Sequence, residues 1–294
     1  YAKAEGYAPE FAVSLDEAYM PRFAGDRIAC SALGKVLAVS ERVDTLVGGF
    51  AVGLKPTGGK DPFALRRAAL GLARTLIEGE IDVDLLRLVL VAGVVVSTHI
   101  GLVARKQHGE DLEESSGSDD DYSTIDLEDL KERANLLGLQ RAKDSFNAGI
   151  ALEIRDFIIE RLRSYYEGEG VYQPDGFEAV VAVEPASLTD FDARLRAING
   201  FKSLDAAPAL AAANKRIRNI LKKSGLDPRG LTVNPALLLD PAEQSLSMRI
   251  GEAAEYVAPM QAAQDYTGVL MALAQLRPEV DAFFDAVMVM AEDL

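Results

Sequence analysis

The residues best suited to chemistry are a group of cations on one predicted helix, Ala207–Gly225. The group consists of Lys215, Arg216, Arg218, Lys222 and Lys223. Three of them, Lys215, Arg218 and Lys222, share one helix face, and such a row of positive charge suits contact with nucleic-acid phosphates. Arg216 and Lys223 are predicted at the edge of the apolar face of this helix. Cations near a helix C-terminus also stabilise the helix through its dipole, and Gly225 is predicted to be its C-cap. From these residues alone, a phosphate-contacting face and a solvated helix exterior are equally open.

The charge of the chain is unevenly distributed, which allows a basic face in an acidic protein. The net charge is -15 over 294 residues. Residues 110–132 contribute -10 of this charge, so the rest of the chain carries only -5. Residues 215–229 carry +5. The acidic total therefore does not exclude a nucleic acid as partner.

A glycine-rich segment before another predicted helix shares only its outline with a phosphate-binding loop. Alignment of Gly59 and Lys60 with the motif G-x-x-x-x-G-K-[ST] puts Leu54 at the first glycine and Asp61 at the Mg²⁺-binding hydroxyl. An aspartate at that position would repel a phosphate. We therefore predict a turn that leads into a helix, with Asp61 as the N-cap and Pro62 as the first helical residue.

The histidines and the single cysteine argue against catalysis by this chain. His99 and His108 are too few for the His and Asp ligand set of an HD-type metal-dependent phosphohydrolase. Cys30 has no histidine near it in sequence, and a lone cysteine fits a reducing cytosol. We predict no catalytic and no metal-binding residue.

The elements that must carry these residues are predicted to be helices. Apolar residues recur at helical spacing in four segments. The four sets are Leu65, Ala69, Leu72 and Leu76; Ile154, Ile158, Leu162 and Tyr165; Leu210, Ala213, Ile217 and Leu221; and, after Pro278, Val280, Phe283, Phe284 and Val287. Residues 89–96 and 179–183 could form short strands, but two strands do not make a sheet, so the chain is predicted to be all-α. Residues 85–104 are apolar except for a few polar side chains such as Arg87, which predicts a buried element and no membrane span.

An acidic run rich in Ser and Gly interrupts this pattern between residues 107 and 125. It has too few large apolar side chains to offset the entropy lost on ordering. We therefore predict a flexible insertion over 107–144, between helical domains at 1–106 and 145–294.

Residues 43–78 closely resemble the glycyl-tRNA synthetase β-subunit family. The family string D-T-L-x-G-x-F-x-x-G-x-x-P-x-G-x-K-D-P-F-A-L-R-R-A is matched at Asp44, Thr45, Leu46, Gly48, Phe50, Gly53, Pro56, Gly58 and from Lys60 to Ala68. Its candidate functional residues are Asp44, Lys55, Lys60, Arg66 and Arg67. Segments 17–26, 190–201, 211–221 and 280–293 are also similar to the family, so the resemblance runs along the whole chain.

The resemblance implies a fold and a role. The fold is an HD-like helical domain followed by a DALR-type helical anticodon-binding domain, whose first residues include Arg194 and Arg196 as further candidates for tRNA contact. The family enzyme has two α and two β subunits. Its α subunit uses ATP and Mg²⁺ to form glycyl-adenylate, and its β subunit binds tRNA(Gly) and is required for charging. The expected partners are therefore tRNA(Gly) and the α subunit, without DNA or membrane, in the cytoplasm. This chain alone is expected to be inactive and to hold no cofactor.

The sequence departs from the family pattern at a few positions. Glu41 stands where the family usually has an aspartate, which argues against a remnant HD metal site. We expect the chain to start inside the HD-like domain and to stop before the usual end of the anticodon-binding domain. Two alternative functions stay open: a non-catalytic helical module for subunit assembly, and a relative of the HD-type phosphohydrolases.

Overall fold

The computed structural model describes residues 1–56, 61–107, 148–225 and 231–289, with the backbone alone for 97–107. The helices in these ranges are α1 (Pro9–Glu17), α2 (Ala32–Ala51), α3 (Leu65–Glu78), α4 (Leu85–Gln107), α5 (Ala148–Gly168), α6 (Pro174–Val181), α7 (Leu188–Lys202), α8 (Ala207–Ser224), α9 (Pro241–Ala262), α10 (Tyr266–Ala274) and α11 (Arg277–Ala286). A 3₁₀ turn spans Pro235–Leu237, and the described residues contain no β-strand. The predicted all-α class is confirmed, and residues 89–96 and 179–181 are helical.

The chain forms two compact units. The first comprises residues 1–172 and 184–189, and the second comprises residues 173–183 and 190–294. The predicted domain boundaries at 106 and 144 stay a prediction, because residues 108–144 of the predicted insertion lie outside the described residues. None of the described helices combines the length and the apolar character needed to cross a lipid bilayer.

Helix α2 is the centre of the first unit and packs against α1, α3, α4 and α5. The predicted apolar stripe of α3 is buried along its whole length, from Leu65 to Leu76. The stripe of α5 is buried from Ile154 to Leu162, but it ends on Tyr166 instead of Tyr165. Burial of each large aliphatic side chain contributes about 1.5–3 kcal/mol, so the packing of α2 against these four helices stabilises the unit.

A buried carboxylate joins α1 to α2. Glu17 accepts hydrogen bonds from the backbone N–H of Cys30 (3.2 Å) and of Ser31 (3.0 Å) and from the Ser31 hydroxyl. The Ser31 hydroxyl in turn accepts the N–H of Gly34 at 2.9 Å and caps α2. The hydrogen bond from the Ser31 hydroxyl, together with the two backbone donors, holds the pKa of the Glu17 carboxyl below its ordinary value.

A buried guanidinium binds the turn that follows the same end of α1. Arg42 donates hydrogen bonds of 2.8–3.2 Å to the carbonyl oxygens of Ala18, Tyr19, Pro21 and Ala38. Three of these carbonyls belong to the turn after α1, and the fourth lies on α2. Burial lowers the pKa of the Arg42 guanidinium. Its four hydrogen bonds offset the cost of removing the charge from water.

The start of α3 differs from the sequence prediction. The predictions of Asp61 as the N-cap and of Pro62 as the first helical residue are wrong, because α3 begins at Leu65 with Ala64 as its N-cap. The Asp61 carbonyl accepts the N–H of Ala64 at 3.1 Å, which closes a tight turn, and Ala64 has φ 57°. The Asp61 side chain still caps the helix, because its Oδ2 accepts the N–H of Arg66 at 3.1 Å.

The second unit is best packed between α6 and α7. The rings of Phe177 and Phe191 meet edge to face with centroids 5.2 Å apart, and Val180 and Leu195 are buried beside them. Helix α9 packs against α10 and α11, but these three helices bury no residue fully. The helix predicted after Pro278 is confirmed as α11, and its apolar side is half-buried.

Candidate nucleic-acid interface

Helix α8 carries the predicted basic group on a rod of 18 residues. Pro208 lies in its first turn, where the missing N–H of a proline costs nothing. Gly225 ends the helix with φ 68°, a left-handed conformation that glycine adopts readily. The predicted glycine C-cap is therefore confirmed. At 1.5 Å per residue the helix is about 27 Å long, so its side chains are presented on a rigid element.

The five cations of α8 are exposed, and most have no neutralising partner. Lys215, Arg218, Lys222 and Lys223 form no ion pair or hydrogen bond with another described residue. The helix contains no acidic residue of its own. Among the described residues, the positive charge of these four side chains is therefore unpaired and available to a ligand.

Arg216 is held differently from the other four. Its guanidinium carbon lies 4.0 Å from the centroid of the Phe284 ring on α11. A guanidinium stacked on an aromatic face is oriented without losing its hydrogen-bond donors. The sequence placed Arg216 and Lys223 at the edge of a buried stripe, but both are exposed.

The predicted apolar stripe of α8 is not a buried face. Ile217 is 41% exposed, and Ala207 is the one residue of the helix classed as buried. The prediction of a core-facing stripe is wrong at Ile217, because α11 contacts α8 from the side that bears Arg216. The basic side of α8 consequently continues into a groove instead of ending at a core.

The groove has a volume of about 520 Å³ and runs along one side of α8. Its described lining consists of Ala212, Lys215, Arg216, Asn219, Ile220, Lys223 and, from beyond α11, Val289. Three of these side chains are cationic and none is a carboxylate. The groove therefore combines an apolar floor with a field that attracts anions.

The two arginines of α7 lie in a different environment. Arg194 Nε lies 3.0 Å from Asp190 Oδ2, and its Nη2 donates to the Tyr266 hydroxyl at 2.7 Å. The Tyr266 hydroxyl donates to Asp190 Oδ1 at 2.5 Å, and the Arg194 guanidinium lies 4.2 Å from the Tyr266 ring centroid. Burial, followed by the hydrogen bond to Asp190, raises the pKa of Tyr266. Arg196 pairs with Asp192 at 2.8 Å.

These ion pairs bear on whether Arg194 and Arg196 can contact tRNA phosphates. A carboxylate one helical turn away already neutralises each guanidinium. A contact of Arg194 or Arg196 with tRNA stays a prediction, but on electrostatic grounds both are weaker candidates than the unpaired cations of α8.

The described residues of the family motif form the connection between α2 and α3. Gly53 has φ 76° after the end of α2, and a Cβ at Gly49 would lie 2.9 Å from Leu65 Cδ2. Lys55 forms an ion pair with Glu153. The motif thus supplies the tight turn and the close approach of the two helices.

The other motif residues are dispersed. Asp44 is exposed on α2 and Arg67 is exposed on α3, whereas the backbone N–H of Arg66 is used in capping. Lys60 lies outside the described residues. The structure therefore does not bring the motif cations together, and a ligand-binding role for them stays a prediction.

Several functional candidates were not found from the sequence. Asn219 lines the groove, and nothing in its spacing distinguished it from any solvent-facing amide. The cluster of Asp190, Arg194 and Tyr266 joins positions 72 to 76 residues apart, so only the i, i+4 pair was visible in the sequence. The described residues contain no group of three or more His, Cys, Asp or Glu arranged to hold a metal ion.

Comparison with protein families gives two matches along the chain. The model described as glycyl-tRNA synthetase beta subunit matches residues 1–182. The model described as DALR anticodon binding domain matches residues 210–294, which include most of α8 and all of α9 to α11.

Similar curated proteins carry the name glycine–tRNA ligase beta subunit. Those of Xanthomonas campestris pv. campestris, Xylella fastidiosa and Pseudomonas aeruginosa are 45%, 44% and 39% identical over 293, 294 and 293 residues. Each alignment covers 100% of this chain but only 36%, 38% and 36% of the relative. The chain spans a little over a third of the length of these relatives.

Proposed function

The chain belongs to the glycyl-tRNA synthetase β-subunit family, and from this we propose that it is a tRNA-binding part of a glycine–tRNA ligase. In this role it supports the ATP-dependent glycylation of tRNA(Gly), which an α subunit carries out. The proposed partners are tRNA(Gly) and that α subunit, and the proposed location is the cytoplasm.

The observation that carries the proposal is the unpaired charge of α8 within the part that matches an anticodon-binding domain. Lys215, Arg218 and Lys222 are exposed on a rigid helix and have no carboxylate partner among the described residues. Each phosphate contact made by such a cation strengthens binding and steepens its dependence on salt. We propose this side of α8 as the surface that contacts the tRNA backbone.

The test is a triple charge reversal, Lys215→Glu, Arg218→Glu and Lys222→Glu, in the complete β subunit. We expect tRNA(Gly) binding to weaken at least tenfold and to depend less on salt. Retention of wild-type affinity and salt dependence by the folded variant, as judged by circular dichroism, would contradict the proposal.

A matched control distinguishes the effect of this surface on tRNA affinity from the effect of net charge. Arg22, Lys202 and Arg277 are exposed cations that already form ion pairs with acids, and none of them is a candidate for tRNA contact. Their reversal to glutamate changes the net charge by the same amount. If the control weakens tRNA binding as much as the α8 variant, overall charge and not this surface governs the affinity.

We also propose that the chain alone is inactive and that ATP and Mg²⁺ are used on the α subunit. This follows from the lack of a nucleotide loop and of a nucleophile–base pair in the sequence. Glycine-dependent exchange of ATP with pyrophosphate, measured with the purified chain, should be at background. Exchange above the rate of a blank preparation would show an active site that the sequence does not reveal.

An assembly role is a second candidate, favoured by an apolar face of the first unit that is partly exposed among the described residues. Leu88, Val91, Ala92 and Val95 follow each other along α4 and line a groove of about 480 Å³ against α2. Val95 is 53% exposed, and helices with such faces are usually covered. Glu41 and Asp44 stand at its rim. The proposed occupant is the α subunit, through an apolar surface with basic residues.

A Val91→Asp, Val95→Asp variant tests this second role. Co-elution of the complete β subunit with α in size-exclusion chromatography should be lost, while tRNA binding should stay. Arg87→Asp, which changes an exposed residue of α4 outside the groove lining, is the control. Unchanged assembly by the double variant would exclude the groove as the contact.

A further inference from the structure

The groove beside α8 has the dimensions and the lining of a small-ligand site. Its volume of about 520 Å³ falls within the usual range for such sites, roughly 300–1,000 Å³. Residues 212, 215, 216, 219, 220 and 223 line it from α8, and this spacing defines one continuous helix face. This face shares only Lys215 with the stripe of Lys215, Arg218 and Lys222. The groove is therefore a distinct feature of α8 and not a restatement of its basic stripe.

The cationic side chains that line the groove favour an anionic ligand. Lys215 and Lys223 stand at its two ends, about 12 Å apart along the helix axis at 1.5 Å per residue. No carboxylate is among its described lining residues. A ligand with negative charge at both ends and a neutral body between them fits this distribution.

The apolar side chains that line the groove favour a flat, partly apolar ligand. Ala212, Ile220 and Val289 supply apolar surface, and Arg216 supplies a guanidinium plane that the Phe284 ring holds at 4.0 Å. Unpaired bases stack on aromatic rings and on arginine planes. Because the ring already orients Arg216, less side-chain entropy is lost when a base stacks beside it.

Asn219 supplies the remaining element of recognition. It is the neutral hydrogen-bonding side chain among the described lining residues, and it is exposed without a hydrogen bond to another described residue. Its amide offers both a donor and an acceptor, which is the combination that reads a base edge.

We propose that this groove binds one unpaired RNA nucleotide, with Lys215 and Lys223 on its flanking phosphates and Asn219 on its base edge. The proposal rests on the proposed tRNA-binding function and assigns the residue that contacts the base edge. Lysines on phosphates confer affinity that does not depend on the base, whereas an amide contact is lost when the base edge is blocked.

The test uses short fluorescent RNA oligonucleotides, oligo(U) and oligo(3-methyluridine), and measures the fluorescence anisotropy of binding to the complete β subunit. The two bases have nearly the same stacking surface, but the methyl group replaces the N3–H donor and blocks the Watson–Crick edge. We expect wild type to bind oligo(U) at least about threefold more tightly than the methylated oligonucleotide, and Asn219→Ala to bring the two affinities within about a factor of 1.5. We expect Lys223→Gln to weaken both about equally and to reduce the salt slope by about 0.7.

Asn214→Ala is the matched control. Asn214 is an exposed amide of the same helix that does not line the groove. This variant should keep the wild-type ratio of affinities. Both alanine substitutions favour the helix, so loss of folding is not expected to obscure the result.

Two results would overturn the proposal: a wild-type protein that binds the two oligonucleotides equally, or an Asn219→Ala variant that keeps the wild-type ratio. The charge-reversal variant of α8 separates this failure from that of the proposed function. If that variant loses tRNA binding while Asn219→Ala keeps the wild-type ratio, α8 contacts the tRNA backbone and the groove does not read a base.

Discussion

A Cβ atom added at Gly71 on α3 would lie 2.4 Å from Nε of Arg42 on α2. Arg42 cannot move aside freely, because its guanidinium is buried and bound to four carbonyl oxygens. The absence of a side chain at position 71 is therefore what lets α2 and α3 approach around a buried charge.

Gly71→Ala should destabilise the first unit by about 2 kcal/mol. Overpacking costs about 1–3 kcal/mol, and displacement of the guanidinium also loses hydrogen bonds to a charged group. Urea unfolding followed by circular dichroism measures the loss. Gly48→Ala on α2 is the control, because a Cβ there meets no atom within 4 Å. Equal stability of the two variants would show that Arg42 repacks without cost.

Glu17→Gln should remove a part of the stability that depends on pH. The pKa of Glu17 is lowered from 4.5, so its stabilisation is present above that pH and is lost as the pH falls through the lower folded value. The difference in unfolding free energy between wild type and variant should be constant near neutrality and shrink below about pH 4.5. Asp16→Asn, at a neighbouring and largely exposed side chain, is the control for a carboxylate-to-amide change near neutral pH. A difference that does not change with pH would contradict this role.

Tyr266→Phe should weaken the packing of α10 against α7 by about 1–2 kcal/mol, because the hydroxyl bridges Asp190 and Arg194. The raised pKa of Tyr266 means that its stabilisation is complete below its ordinary value of 10.0 and is lost as the pH rises through the higher folded value. Wild type should therefore lose more stability than the variant in alkaline urea titrations. Tyr256→Phe, at a ring that is 62% exposed, is the comparison for hydroxyl removal and should leave the stability near neutral pH unchanged.

Lys222→Gln and Arg196→Gln should differ in their effect on tRNA binding. Lys222 has no partner among the described residues, so its loss should reduce the slope of log affinity against log salt by about 0.7–0.9. Arg196 is paired with Asp192, so its loss should change the slope much less. The salt slopes of the two variants are compared from tRNA affinities measured between about 50 and 200 mM salt. A larger effect at Arg196 would place the contact on α7.

Local patterns predicted four of the eleven helices in the described residues, because apolar periodicity and capping residues act within a few positions. The stripe of α3 and the glycine end of α8 follow directly from such patterns. The start of α3 was missed because the choice between Pro62 and Leu65 depends on a turn that a left-handed Ala64 completes. Nothing in the residue type of an alanine signals that conformation.

The candidate site was predicted in part. The spacing of Lys215, Arg218 and Lys222 showed a basic face, but it could not show which cations stay unpaired. Asp190 and Asp192 neutralise the arginines of α7, whereas α8 has no acid within reach along its own sequence. The groove depends on Phe284 and Val289, which are more than 60 positions away in sequence and become neighbours only through the packing of α11.

The unneutralised cations of α8 also act on one another. Lys215 and Arg218, and again Arg218 and Lys222, stand at spacings where like charges weaken a helix by about 0.2–0.5 kcal/mol per pair. A bound polyanion removes this self-repulsion, so association and helix stability reinforce each other through mass action. The free protein is therefore less stable than the RNA-bound protein. We expect the melting temperature to be highest when RNA is bound, and α8 to be least stable at low salt without RNA.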